Sequence, residues 1–74
     1  MRLKIKITFH VIGGYWFERF QDVEKGTTFA AATFEEINRL MKQDGAYDLV
    51  NEHTIRFFPR SRIEKVEVEE VTDE

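Results

Sequence analysis

From residue 3 to residue 11 apolar and polar side chains alternate without a break, Leu3, Ile5, Ile7, Phe9 and Val11 against Lys4, Lys6, Thr8 and His10. Period two is the signature of a strand with one face buried and one in water, so the rest of the chain must cover one side of a sheet. Gly13-Gly14 then offers a turn, because glycine accepts positive φ, and residues 15–20, YWFERF, run back as a second strand. Four of those six residues are aromatic, and successive side chains point to opposite faces. No register can bury all four.

Two registers are open. A two-residue loop at Gly13-Gly14 turns Trp16 and Phe20 inward and leaves Tyr15 and Phe17 beside Ile12 and His10 on the far face. A three-residue loop, residues 12–14, turns Tyr15 and Phe17 inward and leaves Trp16 and Phe20 outside. It sets Glu18 beside Thr8 and near Lys6, but it also sends Arg19 inward, where its head must snorkel at the sheet edge. Either way two aromatics remain on the far face, available to a loop, a second copy of the chain or a binding partner.

Further along, Glu24-Lys25-Gly26 reads as a turn, and residues 27–32 fit either a short strand or an early helical turn. Thr33 with Glu36 matches a capping box, which predicts a helix beginning there. Phe34, Ile37, Leu40 and Met41 form its apolar stripe, and Gly45 is placed to end it in the left-handed conformation. Residues 47–50 and 53–58 read as strands, the second ended by Pro59, which lacks an N–H for the ladder. Residues 63–71 form the last strand, with Val66 and Val68 inward and Lys65, Glu67 and Glu69 outward. Ile63 and Val71 have the opposite parity and predict a kink at each end.

These elements predict one α+β domain over residues 1–71, with 72–74 as a frayed tail. The expected fold is a mainly antiparallel sheet of four or five strands in ββαβββ order, the helix stripe packed on one face against Leu3, Ile5, Ile7 and Phe9. Seventy-four residues leave room for one core and no deep cleft. With a single helix, a helix-turn-helix DNA reader is excluded. No run approaches the length of a membrane span, and the absence of cysteine fits a cytoplasmic chain.

The composition offers little for catalysis. The single serine, Ser61, stands between two arginines after a proline, and neither His10 nor His53, even with Asp48 and Glu52, has a spacing that converges on a metal. No catalytic residue, metal site or cofactor is expected, and the chain reads as a non-enzymatic protein. Charge is unevenly placed. The net value is −3, but residues 1–62 balance to +2 while residues 63–74 carry one lysine against six acids.

Two binding surfaces follow. The first joins the aromatics Tyr15, Trp16, Phe17 and Phe20 to the carboxylates Glu67 and Glu69 of the last strand, which either solubilise an edge or imitate the phosphates of DNA. It would take a host protein. The second, from a different class, is a single-stranded nucleic-acid surface built on Arg56, Arg60 and Arg62, interleaved with Phe57 and Phe58, plus Lys4 and Lys6 of the first strand. The acidic pI near 5.4 weighs against it.

The order of an aromatic hairpin, a short helix and a charged last strand resembles many small early and accessory proteins of bacteriophages. More narrowly, YWFERF followed by EKG, TFEEINRL and the charged last strand is similar in layout, over about half the chain, to the small uracil-DNA glycosylase inhibitors of Bacillus podoviruses, although this chain is longer at its C-terminus. The resemblance implies a small inhibitor of a host protein, with an aromatic box receiving a host side chain. A homodimer covering the surplus aromatics is a further expectation.

Overall fold

The computed structural model describes residues 2–73, with side chains for residues 3–71. Strand β1 spans Arg2–Val11 and β2 spans Trp16–Asp22. Helix α1 spans Phe29–Gln43. Strands β3, Gly45–Asn51, and β4, Thr54–Pro59, follow, and a single 3-10 turn over Arg60–Arg62 leads into β5, Ile63–Asp73.

The fold is α+β and its strands pair antiparallel, but they form two sheets rather than one. The order β2-β1-β5 makes a three-stranded sheet, and among the described residues β3 pairs only with β4. The reason lies in the inner face of the larger sheet. Ile5, Ile7, Phe9 and Val11 are buried there as their alternation requires, joined by Phe17. One helix cannot cover so broad a face. Helix α1 supplies Phe29, Ala32 and Leu40 to the core, and the β3–β4 hairpin supplies Ala46 and Phe58. The hairpin is therefore a second cover beside the helix, not a continuation of the sheet.

The turn takes three residues. Val11 N–H donates to Tyr15 O at 2.8 Å and Gly14 N–H to Val11 O at 3.2 Å, with Gly13 and Gly14 both at positive φ. Phe9 then faces Phe17, Thr8 faces Glu18 and His10 faces Trp16. Of the two registers compatible with the sequence, this is the one that turns Trp16 and Phe20 outward. Arg19 does point inward. Its guanidinium lies 5.3 Å from the ring centres of both Phe9 and Tyr47, cation–π contacts that hold the charge where water is scarce.

The helix begins five residues earlier than the capping box predicts. Thr28 is the N-cap, its hydroxyl accepting from Ala31 N–H at 3.1 Å. Thr33 sits inside the helix and donates its hydroxyl to Phe29 O at 2.9 Å. The extra turn brings Phe29 and Ala32 to the core, and burial there outweighs the local capping signal. The buried face becomes Phe29, Ala32, Glu36 and Leu40, so Phe34, Ile37 and Met41 are left exposed. Of the predicted stripe only Leu40 packs inward.

Glu36, the predicted capping acid, is instead buried, with Arg39 Nη1 at 2.8 Å from its Oε1 as an ion pair whose angle lies outside hydrogen-bonding range. It lines a small cavity beneath the helix together with Arg19. Asp44, not Gly45, takes the left-handed position at the helix end, with φ 59° and ψ 24°. Gly45 has φ 154°, and a Cβ there would stand 2.3 Å from the backbone oxygen of Phe58 and 2.8 Å from the Phe57 ring. Only glycine fits that approach of β3 to β4.

In β5 the predicted parity appears. Val66 and Val68 lie opposite Phe9 and Ile7, and an irregularity at Glu64 restores Ile63 to the core beside Val11. Val71 instead stays on the outward side, opposite Lys4. The strand continues further than the sequence suggests, since Thr72 pairs with Leu3 and Asp73 with Arg2. Of the expected frayed tail, only Glu74 lies outside the described residues.

Candidate protein-binding surface

Helix and hairpin both lie on the inner side of the three-stranded sheet, which leaves its outer face uncovered by any element among the described residues. Three columns of side chains make up that face. Strand β2 presents Trp16, Glu18 and Phe20; β1 presents Lys4, Lys6, Thr8 and His10; β5 presents Lys65, Glu67, Glu69 and Val71. Trp16 is 58% exposed and Phe20 56%. Four residues apart on one strand, they stand about 13 Å from each other on the same side. The face is aromatic along one edge and mainly acidic along the other, with the β1 column of Lys4, Lys6, Thr8 and His10 between them.

Ion pairs tie the columns together. His10 Nε2 lies 2.6 Å from Glu67 Oε1, and Lys6 Nζ 3.4 Å from Glu69 Oε1. The hydrogen bond from His10, with lesser help from Lys65, holds the Glu67 carboxyl below the usual carboxylate range. These exposed contacts stabilise the fold little, but they fix the orientation of the β5 side chains relative to β1. Each sits one strand away from an exposed aromatic: His10 opposite Trp16, Lys6 opposite Phe20.

The structure thus brings together Trp16, Phe20, Glu67 and Glu69, four of the six residues assigned to the protein-binding surface from sequence. Tyr15 and Phe17 are elsewhere. Phe17 is buried, stacked on Phe9 with ring centres 4.8 Å apart and on Phe58 at 5.6 Å. Tyr15 is half-buried beside Phe58, its hydroxyl donating to Asp48 and accepting from Arg56 Nη1 at 3.1 Å. Both rings serve the core, as the three-residue turn dictates.

The residues of the nucleic-acid surface do not converge. Lys4 and Lys6 belong to the outer sheet face, whereas Arg56 lies over the Tyr15 ring at 5.5 Å on the hairpin's inner side. Arg60 reaches Met41 Sδ at 3.1 Å, and Arg62 lies in the 3-10 turn. Phe57 and Phe58 point to opposite faces of the hairpin, one exposed and one packed on Phe17. Asp48 is engaged by Tyr15, and His53 donates its backbone N–H to Asn51 Oδ1 at 2.8 Å in the hairpin tip. Among the described residues no three potential ligands are grouped to hold a metal ion, and no helix is long and apolar enough to cross a membrane.

One surface was not foreseen. Tyr47 and Leu49 on β3, with Ile55 and Phe57 on β4, are exposed on the hairpin face opposite Ala46 and Phe58, with the Arg19 guanidinium 5.3 Å from the Tyr47 ring. Its signal is in the sequence, since these four alternate with Ala46, Asp48, Arg56 and Phe58, but it becomes visible only once β3 and β4 are known to pair solely with each other. No protein-family model matches the chain, and comparison with curated proteins and with solved structures found no match.

Proposed function

We propose that the chain is a small non-enzymatic interaction protein, cytoplasmic and encoded by a phage or mobile element, that binds and modulates a host protein through the outer face of its three-stranded sheet. The observation that carries this reading is the pair Trp16 and Phe20, each more than half exposed on a face whose other side chains, Val71 apart, are charged or polar. Large aromatics standing free on a rigid strand are the residue type that dominates binding energy at interfaces. They bury much area and lose little side-chain entropy. Glu67, Glu69 and Lys65 would form the polar rim that orients the partner.

The geometry gives less support to mimicry of DNA by the acidic strand. Glu67 and Glu69 are each engaged by a β1 side chain, His10 and Lys6, whereas a phosphate mimic needs carboxylates free to meet a partner's basic groove. The single-stranded nucleic-acid reading is supported less still, because its arginines are spread over separate parts of the molecule and two of them are held by Tyr15 and Met41.

Affinity capture from a bacterial lysate tests the proposal. Wild-type protein is expected to retain a protein partner, and the Trp16→Ala/Phe20→Ala variant is expected to lose it while keeping its folded circular dichroism. Retention of the same partner by that variant would overturn the assignment of the surface. Steeply salt-dependent binding of oligonucleotides, with no protein retained, would move the function to the nucleic-acid class.

A further inference from the structure

Resting on the reading of the outer sheet face as the partner-binding surface, we propose that the column Trp16, Glu18 and Phe20 is an arginine-recognition site, and that the partner seats an arginine side chain over Glu18. The three share one side of β2 at alternate positions, so each aromatic stands about 6.7 Å along the strand from the carboxylate between them. Trp16 and Phe20 are more than half exposed, and Glu18 is exposed with them. Cation–π attraction acts within about 6 Å of a ring centre, so a guanidinium resting on Glu18 meets both rings once they lean toward it.

Three features make the occupant a cation, and arginine in particular. First, Glu18 is left without a cation by the pairing of the strands. Of the carboxylates described on this face, Glu67 is held by His10 at 2.6 Å, Glu69 by Lys6 at 3.4 Å, and Asp22 lies opposite Lys4, whereas the residue opposite Glu18 is Thr8. Lys6 and His10 are its diagonal neighbours on β1, and both turn away from it to β5. Among the described residues no hydrogen bond or ion pair occupies its oxygens. Second, the flanking rings select against the other occupants. An anionic group would be repelled by Glu18 and by the negative ring faces, and an aliphatic side chain would bury the carboxylate with no partner. Only a cation gains from all three side chains. Third, the planar guanidinium can donate two N–H groups to a carboxylate while its flat faces still meet the rings, which the compact, strongly hydrated ammonium of lysine does less well. The same pairing recurs inside the fold, where Arg19 lies 5.3 Å from the ring centres of Phe9 and Tyr47 and Arg56 lies 5.5 Å from that of Tyr15.

Titration with N-acetyl-arginine amide, followed by the proton and nitrogen NMR shifts of the backbone amides, tests the proposal, with the lysine and leucine amides as comparisons. The arginine amide is expected to give saturable shifts centred on residues 16–20 and to bind more tightly than either comparison. Glu18→Gln is expected to keep the circular dichroism of the wild type, because the residue is exposed, and to weaken arginine binding about fivefold as a charge-assisted contact becomes a neutral one. No saturable shift at these residues, a leucine or lysine amide that binds as tightly, or an undiminished affinity in Glu18→Gln would overturn the proposal. Capture from a bacterial lysate separates it from the reading on which it rests. If Trp16→Ala/Phe20→Ala loses the captured partner but Glu18→Lys retains it, the face binds the partner and the arginine site is refuted. If the wild type captures no partner yet binds the arginine amide at residues 16–20, the site stands and the host-partner reading falls.

Discussion

Alanine substitution along β2 examines the register on which the outer face depends. Phe17 is stacked on Phe9 and Phe58 and inclined to Tyr15 at 6.2 Å. Truncating such a ring leaves a cavity and forfeits its aromatic contacts, at a cost of about 4 kcal/mol. A domain of this length has a total stability of roughly 4–11 kcal/mol, so Phe17→Ala should be close to unfolded or lose at least ~16 °C in Tm. Trp16, the next residue, has the larger side chain but buries little of it, and Trp16→Ala should cost no more than about 1 kcal/mol, the scale of a cross-strand pair with His10. Phe20→Ala should behave like Trp16→Ala. Tyr15→Phe should lose about 1–2 kcal/mol, since it removes the hydroxyl shared by Asp48 and Arg56. Thermal and urea denaturation followed by far-ultraviolet circular dichroism reads all four variants with one probe. If Trp16→Ala proves more damaging than Phe17→Ala, the turn takes two residues and the assignment of the outer face collapses.

Three further predictions concern local structure. Thr28→Ala should destabilise by about 1 kcal/mol through loss of the cap, while Thr33→Ala should be neutral within about 0.5 kcal/mol, a pair that urea titration separates. Gly45→Ala should cost at least about 2 kcal/mol, because the added Cβ meets the Phe58 carbonyl and the backbone holds a φ that alanine resists. His10→Ala should raise the Glu67 carboxyl toward its ordinary value, read by carbon-13 titration of the side chain. Because that carboxyl is depressed in the folded protein, the stability it contributes is present above the ordinary carboxylate range and is lost as pH falls through the lowered value. The variant should therefore lose less stability than wild type over that acid window.

Much of the fold is legible in the sequence wherever a pattern is local and one-sided. The alternation from Leu3 to Val11 identifies the central strand and its buried face, and Val66 and Val68 do the same for β5. The choice between the two hairpin registers is not local. It turns on whether Arg19 can be accommodated inward, and that depends on Tyr47, which arrives from a strand far along the chain. The helix start fails for the same reason. Thr28 and Thr33 are both competent caps, and the choice is made by Phe29 and Ala32 finding the core. Pairing of β3 with β4 alone is likewise written in no local pattern, because it follows from the area of inner face that one helix leaves bare.

The candidate surface is half legible in the sequence. Surplus aromatics on β2 announce that something must stand outside, and the turn decides which. The apolar outer side of the hairpin went unseen because alternating strands normally turn such a face to a core, and here the core is on the other side.

The fluorescence of Trp16, the chain's single tryptophan, tests the central claim most directly. In the free protein, acrylamide should quench it nearly as readily as in the urea-unfolded chain, and addition of the captured partner should protect it and shift its emission to the blue. A Trp16 already shielded in the free protein, or one that stays equally open to quencher in the complex, would contradict the account.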